Sequence, residues 1–212
     1  MPVTFNRPTL IFRIAHYNNL AFTLRNGVYC RNSSLCDPDY INIGHRNLID
    51  KRGQRAVPVS PFGVLNDYVP FYLAPRSPML YSINKGNVQG YNGTQGEIIY
   101  LISSVEEIKK ANRPFAFTDG HAYQEISNFY NDENDLDKID WKIMGETYWN
   151  NTPEDNDRMR RRMAEFLVFQ FVPANSILAI VVYDDITKQE VDSIQNKCGT
   201  QIKTFIKRNW YY

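Results

Sequence analysis

Cysteine is scarce in this sequence: only Cys30, Cys36 and Cys198 occur in 212 residues. An odd, sparse set argues against a secreted disulfide framework and predicts a reducing, cytoplasmic setting. Long apolar runs are missing too. The opening stretch MPVTFNRPTLIFRIAHYNN holds no segment long enough for a signal peptide or a membrane span, so neither export nor anchoring is expected. Nor does one sign of charge dominate: 24 Lys and Arg face 23 Asp and Glu, a formal net charge of +1. That balance gives no global attraction to nucleic acid or membrane, and any anionic partner must be held by local patches.

Familiar ligand signatures are absent as well. The glycine cluster KGNVQGYNGTQG (85–96) contains neither G-x-G-x-x-G nor G-x-x-x-x-G-K-[ST], and is expected to be a hairpin loop. Cys30, Cys36 and His45 match no zinc spacing, so no metal is expected. No repeat of fixed period is found. What is abundant is aromatic side chain, at 14% of residues. A chain of this length buries roughly 70% of its unfolded surface and needs no disulfides, so one domain over 1–212 is expected.

Along the chain, TLIFRIA (9–15) predicts a strand, and NNLAFTLRNG (18–27) a short helix with an Asn near its start and Gly27 just past its end. Residues 28–70 lack apolar periodicity over a length far beyond an ordinary loop, which predicts a functional or partly helical connection. PFYLA, MLYSI and GEIIYLISS are strand candidates, the last running into SVEEIKKA with Ser103 and Glu106 at capping-box spacing. ILAIVVYDD predicts a buried strand, TKQEVDSIQNKCG a helix boxed by Thr187 and Glu190 and stopped by Gly199, and TQIKTFIKR a last element. Strands and helices alternate too irregularly for a doubly wound sheet, so a mixed α+β fold is expected.

The segment DRMRRRMAEFLVFQF (157–171) places a carboxylate among hydrophobes. TPED before it is expected to open a helix, with Thr152 as cap, Pro153 first and Asp155 completing the box. The basic cluster at Arg158, Arg160, Arg161 and Arg162 would then complement the helix C-terminus. From Ala164 a strand follows, with Glu165 in phase with Leu167, Phe169 and Phe171. An ionised carboxylate there needs either a solvent-open position or hydrogen-bond partners. Position alone leaves a salt bridge and a catalytic role equally open.

Other segments bear on that choice: LNDYVPFYLAPRSPML (65–80), FTDGH (117–121), AEFLVF (164–169) and the terminal RNWYY, with TLIFRIAHYNNL and VPVSPFG before them. In this order, from about Thr9 to Tyr212, they resemble the DarT family of DNA ADP-ribosyltransferase toxins. The resemblance implies an ADP-ribosyltransferase fold: a split, mostly antiparallel β-sheet flanked by helices, with NAD in the cleft between its halves. NAD would be a consumed substrate, consistent with the missing dinucleotide fingerprint.

On the resemblance, Glu165 corresponds to the catalytic glutamate, stabilising positive charge on the ribose or holding a ribose hydroxyl. Arg52, in the stretch of about 35–54 that resembles the NAD-binding element, is the other catalytic position. The family account has it help deprotonate the acceptor base. A guanidinium is essentially always protonated, so orienting the diphosphate and stabilising the developing base anion are physically easier roles. Read without the family, Arg52 is a solvated basic turn. Arg13, Ile14 and Ala15 end the first strand where such enzymes hold the nicotinamide amide, and His16, Asn19 and Phe22 would line the same pocket. For His16 a helix-start hydrogen bond is an equal alternative. Met79 is placed near the NAD cleft, core packing being the default for methionine.

His121 opens a segment, about 121–165, that resembles the substrate-recognition loop. With Tyr148, Trp149, Arg158, Arg160 and Arg161 it is expected to bind single-stranded DNA by stacking and phosphate contacts, although several of its aromatics must be core. Two departures from the family, Phe62 for a glycine and Asn66 for a frequent histidine, bear on acceptor preference.

The expected activity is therefore a pentosyl transfer of ADP-ribose from NAD to a base, preferably thymidine, in single-stranded DNA, by a cytoplasmic toxin. A DarG-type macrodomain antitoxin is the expected partner. The alternatives are guanosine as acceptor, protein or RNA as acceptor, and a non-catalytic nucleic-acid-binding module.

Overall fold

A computed structural model describes residues 8–212. The first seven residues, on which part of the expectation about a signal peptide rests, lie outside the described residues. β1 (Leu10–His16), α1 (Leu20–Asn26) and β2 (Val28–Tyr29) are followed by a long connection that carries one helix, α2 (Arg46–Arg52). β3 (Tyr68–Tyr72), α3 (Pro78–Asn84), β4 (Ile98–Ser104), α4 (Val105–Lys110), β5 (Phe115–His121) and β6 (Phe129–Tyr130) come next. Then follow α5 (Trp141–Gly145), α6 (Arg158–Arg162), β7 (Ala164–Phe169), β8 (Phe171–Val172), β9 (Ala179–Val182), α7 (Asp185–Cys198) and β10 (Lys203–Ile206).

Eight strands form one sheet in the order β10-β9-β4-β1-β3-β7-β5-β6, antiparallel except for the β9–β10 pair. β2 and β8 pair separately. β1 is fully registered on β4, from Leu10 opposite Ser104 to His16 opposite Ile98, yet meets β3 at a single pair, Phe12 and Tyr72. The sheet is therefore split between β1 and β3. Across that gap the Arg13 guanidinium donates to the Pro70 carbonyl at 3.0 Å.

Period-two alternation sorts the strand side chains between two faces. Ile11, Val69, Phe71, Leu101, Phe166 and Val168 point into the main core, which α7 closes through Val191. On the other face Phe12, Ile14, Tyr100 and Ile102 pack under α3 at one end. Tyr68, Leu167 and Ala116 pack under Val57 and Leu65 at the other. Between these two apolar caps, over the split, lies a cleft.

Several local readings need correction. MLYSI is not a strand but the body of α3: the Ser77 hydroxyl accepts the Leu80 N–H at 3.2 Å and Pro78 occupies the first turn. An N-cap followed by proline outweighs a short apolar run, and Leu80 and Ile83 then share the buried face. The α4 cap is Ser104, one residue later than expected, because Ser103 is buried and donates to the Ser176 carbonyl at 2.7 Å. α7 is capped by Asp184 rather than boxed by Thr187, whose hydroxyl donates to the Gly96 carbonyl at 2.6 Å. Thr152 to Asp155 forms a separate turn, and α6 starts only at Arg158. The glycine cluster 85–96 joins α3 to β4 and is no hairpin. No helix among the described residues is long and apolar enough to cross a membrane.

Candidate active site

Glu165 is the second residue of β7 and projects from the face opposite the main core, opposite Tyr72 of β3. It is 6% exposed. Arg52, the last residue of α2, meets it in a two-pronged pair, Nη1 to Oε1 at 3.0 Å and Nη2 to Oε2 at 2.9 Å. The Ala122 N–H donates to Oε1 at 3.1 Å. Burial alone would raise the Glu165 pKa, but the Arg52 charge, His121 and these hydrogen bonds outweigh it and hold the carboxyl below its ordinary range. At neutral pH Glu165 is an ionised carboxylate with a fixed orientation.

The pair sits in a cavity of about 680 Å³ opening over the split in the sheet. That volume lies in the range of small-molecule and cofactor sites. Arg13, Arg31, Arg46 and Arg52 all reach its lining, against Asp37, Asp50 and Glu165. Cations thus outnumber carboxylates around a concave site in a chain of near-zero charge, which suits a ligand carrying phosphates. Tyr72, also on the lining, is kept protonated by burial and by the nearby Glu165 charge.

The stretch of about 35–54 becomes a wall of the cavity through two anchors. The Asn19 side chain spans Ile41, donating to its carbonyl and accepting its N–H, both at 2.9 Å. Asn66 donates from Nδ2 to the Ile49 carbonyl at 2.9 Å and so ties the C-terminal turn that delivers Arg52. The departure at position 66 is therefore a support for α2.

His121 ends β5 beside Glu165 and lines the cavity. Its Nδ1 accepts the Tyr123 N–H at 3.2 Å, which leaves the ring proton on Nε2. Burial lowers its pKa more than the Glu165 charge raises it, so it is neutral at pH 7 and can donate but not accept at Nε2.

Arg13, Ile14, Arg52, Met79, His121 and Glu165 are brought together on the cavity lining. Ala15, His16, Asn19 and Phe22 are not on it. Ala15 packs in the main core. His16 Nδ1 accepts the Asn18 N–H at 3.1 Å, the helix-start bond. Phe22 sets its ring edge-on to Tyr29.

Of the residues expected to face DNA, Tyr148 is 81% exposed, whereas Trp149 is buried among main-core residues at 7%. Arg158 donates to the carbonyls of Asn150 and Tyr148. Arg160 is held by Asp157 and Asp119, and Arg161 by Asp155 and Asp140. Their charges are largely used within the fold. Residues missed by sequence reasoning include Tyr72, which lies inside the quoted DYVPFY run, and Thr118, whose hydroxyl accepts the Glu165 N–H at 3.1 Å. A threonine inside an apolar strand gave no signal for that contact. Among the described residues no group of His, Cys, Asp or Glu is placed to hold a metal ion.

A family model described as ssDNA thymidine ADP-ribosyltransferase, DarT, matches residues 12–212. A DNA ADP-ribosyl transferase of Escherichia coli O127:H6 (strain E2348/69 / EPEC) is 35% identical over 203 residues, covering 96% of this chain and 93% of the relative. The structure of Thermus sp. 2.9 DarT in complex with ADP-ribosylated ssDNA matches with a TM-score of 0.92 at 36% identity, covering 100% of both chains. The same Thermus protein in complex with NAD+ matches at 0.87 and 36% identity, covering 99% of this chain and 100% of that one.

Proposed function

The chain belongs to the DarT family of ssDNA thymidine ADP-ribosyltransferases, and from that membership we propose that Glu165 and Arg52 form its reaction centre and that the cavity over the split sheet receives NAD. The enzyme transfers ADP-ribose from NAD to a base of single-stranded DNA, with thymidine as the acceptor. The single observation that carries the residue assignment is the buried Glu165, paired at both oxygens with Arg52 on the wall of an arginine-lined cavity.

In the reaction, the bond between the nicotinamide nitrogen and the ribose anomeric carbon breaks, and its electron pair leaves with nicotinamide. Positive charge develops on the ribose. Glu165, fixed before substrate arrives, stabilises that charge without reorganisation. A ring nitrogen of the acceptor base then bonds to the anomeric carbon, and its proton passes to solvent water. Arg52 lowers the cost of the base anion and orients the diphosphate, while Arg13, Ile14 and Met79 form the wall against which NAD lies. Pairing atoms of a base are accessible only outside a duplex, so a single strand is the reasonable substrate. Tyr148 is the aromatic of the 121–165 segment best exposed for stacking on it.

NAD and single-stranded DNA occur together in the cytoplasm, which is the compartment we assign. A DarG-type macrodomain, binding ADP-ribose on the modified base, is the partner that would restrain such a toxin. That assignment rests on the resemblance to the toxin family.

The test is mass spectrometry of single-stranded oligonucleotides, with and without thymidine, incubated with NAD and either the native protein or Glu165→Gln. An ADP-ribose adduct requiring thymidine and NAD, and reduced by ~10²–10³ in the variant, is expected. An undiminished rate in Glu165→Gln would remove Glu165 from the chemistry, and adducts confined to guanosine would change the acceptor. A purified macrodomain of the DarG type should bind the modified strand and not the unmodified one.

A further inference from the structure

Between β5 and β7 the register slips: Phe117 lies opposite Phe166, but the next pair is His121 opposite Ala164. Four steps along β5 therefore match two along β7. The surplus is a bulge at Thr118 to Gly120, directly beside Glu165. Bulges of this kind re-aim side chains next to active sites.

In a regular ladder the Glu165 N–H would find a backbone carbonyl. Here it donates to the Thr118 hydroxyl at 3.1 Å, and that hydroxyl donates in turn to the Gly120 carbonyl at 2.6 Å. Thr118 is completely buried. One side chain thus closes the bulge on itself and fastens it to the backbone of Glu165. Past the bulge the chain turns so that the Ala122 N–H meets the carboxylate at 3.1 Å and His121 enters the cavity lining.

A second fastening acts from outside. Arg160 crosses Gly120 so closely that a Cβ there would stand 2.2 Å from its Nη1. The same Nη1 donates to Asp119 at 2.9 Å and to the Ser127 hydroxyl at 3.2 Å, while Nε and Nη2 each donate to Asp157 at 2.7 Å. Asp119 also accepts from the Asn128 backbone at 3.1 Å and its side chain at 2.7 Å.

We infer that this clamped bulge positions the Glu165 carboxylate, with Thr118 as a positioning residue for the reaction and Asp119 and Arg160 as its outer fastening. The inference rests on Glu165 being the carboxylate at the reacting ribose. Thr118 touches no substrate. It acts by fixing where the β7 backbone lies against the bulge, and so whether Glu165 and the Ala122 N–H converge.

The experiment measures kcat and KM for NAD-dependent modification of a thymidine-containing single strand by native protein, Thr118→Val, Thr118→Ser, Asp119→Ala and Glu165→Gln, each checked for folding by circular dichroism. Thr118→Val keeps the shape and removes the hydroxyl. Displacement of a reacting group by about 1 Å costs on the order of 10²-fold, so a kcat loss of about 10–100-fold with little change in the KM for NAD is expected. Thr118→Ser, which keeps the hydroxyl, should recover most of that loss. A folded Thr118→Val with native kcat, or a Thr118→Ser as impaired as the valine variant, would overturn the inference. Should Thr118→Val not fold, Asp119→Ala decides: a reduced kcat supports the clamp, and a native kcat overturns it. Glu165→Gln keeps the two levels apart. If it is as active as the native protein, the assignment of Glu165 fails; if it is inactive while Thr118→Val and Asp119→Ala are native, only the clamp fails.

Discussion

Arg52 and Glu165 are each worth more as a pair than alone, because both are nearly withdrawn from water, with side chains 12% and 8% exposed. Removing the cation leaves a buried carboxylate with only the Ala122 N–H. Arg52→Gln is therefore expected to destabilise the fold toward the low end of the ~3–5 kcal/mol typical of broken buried pairs, since the cavity admits some water. Urea unfolding at neutral pH reads that loss. The acid side gives a second signature. A carboxyl whose folded pKa is depressed stabilises above its unfolded value and loses that contribution as pH falls through the folded one. Without Arg52 the largest lowering influence is lost while burial still raises the pKa, so acid unfolding of Arg52→Gln should begin at higher pH than in the native protein. An unchanged acid midpoint would mean that Arg52 does not set the charge state of Glu165.

His121 acts with the same sign in a different window. Its folded pKa lies below the ordinary 6.5, mainly through burial, so the unfolded chain takes up a proton that the folded protein refuses. Stability should decline as pH falls below about the unfolded imidazole value. His16, also lowered by burial, adds to the decline. His121→Gln should therefore reduce the slope without abolishing it, as urea midpoints across this range would show.

At the scale of elements, α2 illustrates how much of the site was legible. Its residues stand in a stretch without apolar periodicity, and none of them is buried. Sequence reasoning could therefore mark the stretch as functional but could not shape it. What holds the helix is Asn66 on its last turn. Asn66→Ala should raise the KM for NAD several-fold by loosening the support of Arg52, with smaller effect on overall stability, a split that steady-state kinetics and thermal melts would separate. Strands with continuous or alternating apolar residues, such as β1, β4, β7 and β9, were readable because burial on a sheet imposes that pattern. MLYSI was misread because its decisive signals, Ser77 and Pro78, lie at its edge. TPED was misread because its Asp155 serves as a partner for Arg161 instead of opening a helix. Glu165 was readable as an anomaly, but its partners Arg52, Ala122 and Thr118 come from 113, 43 and 47 residues away. Trp149 was unreadable for the same reason: aromatic residues in a long irregular segment carry no mark that separates core from contact surface.

For the whole molecule, the split sheet sets an expectation about how NAD acts on stability. β1 and β3 meet at one residue pair, and the cavity spans that seam with α2 on its wall. A ligand filling it would touch both halves of the sheet and the half-exposed connection at once. Ligand present at about 100 times its Kd stabilises the native state by ~2.7 kcal/mol. For a domain of this size that corresponds to a rise in melting temperature of about 5–11 °C. Nicotinamide alone contacts only one end of such a site and should give a much smaller rise. Glu165→Gln should retain most of the NAD-dependent rise while losing turnover, because a carboxylate that stabilises developing charge contributes more to the transition state than to the bound substrate. Differential scanning fluorimetry with NAD and with nicotinamide, on the native protein and this variant, distinguishes these cases. No NAD-dependent shift in the native protein would separate the cavity from the substrate. A shift lost in Glu165→Gln would make the carboxylate chiefly a binding group, and move the source of rate acceleration to Arg52 and the other arginines around it.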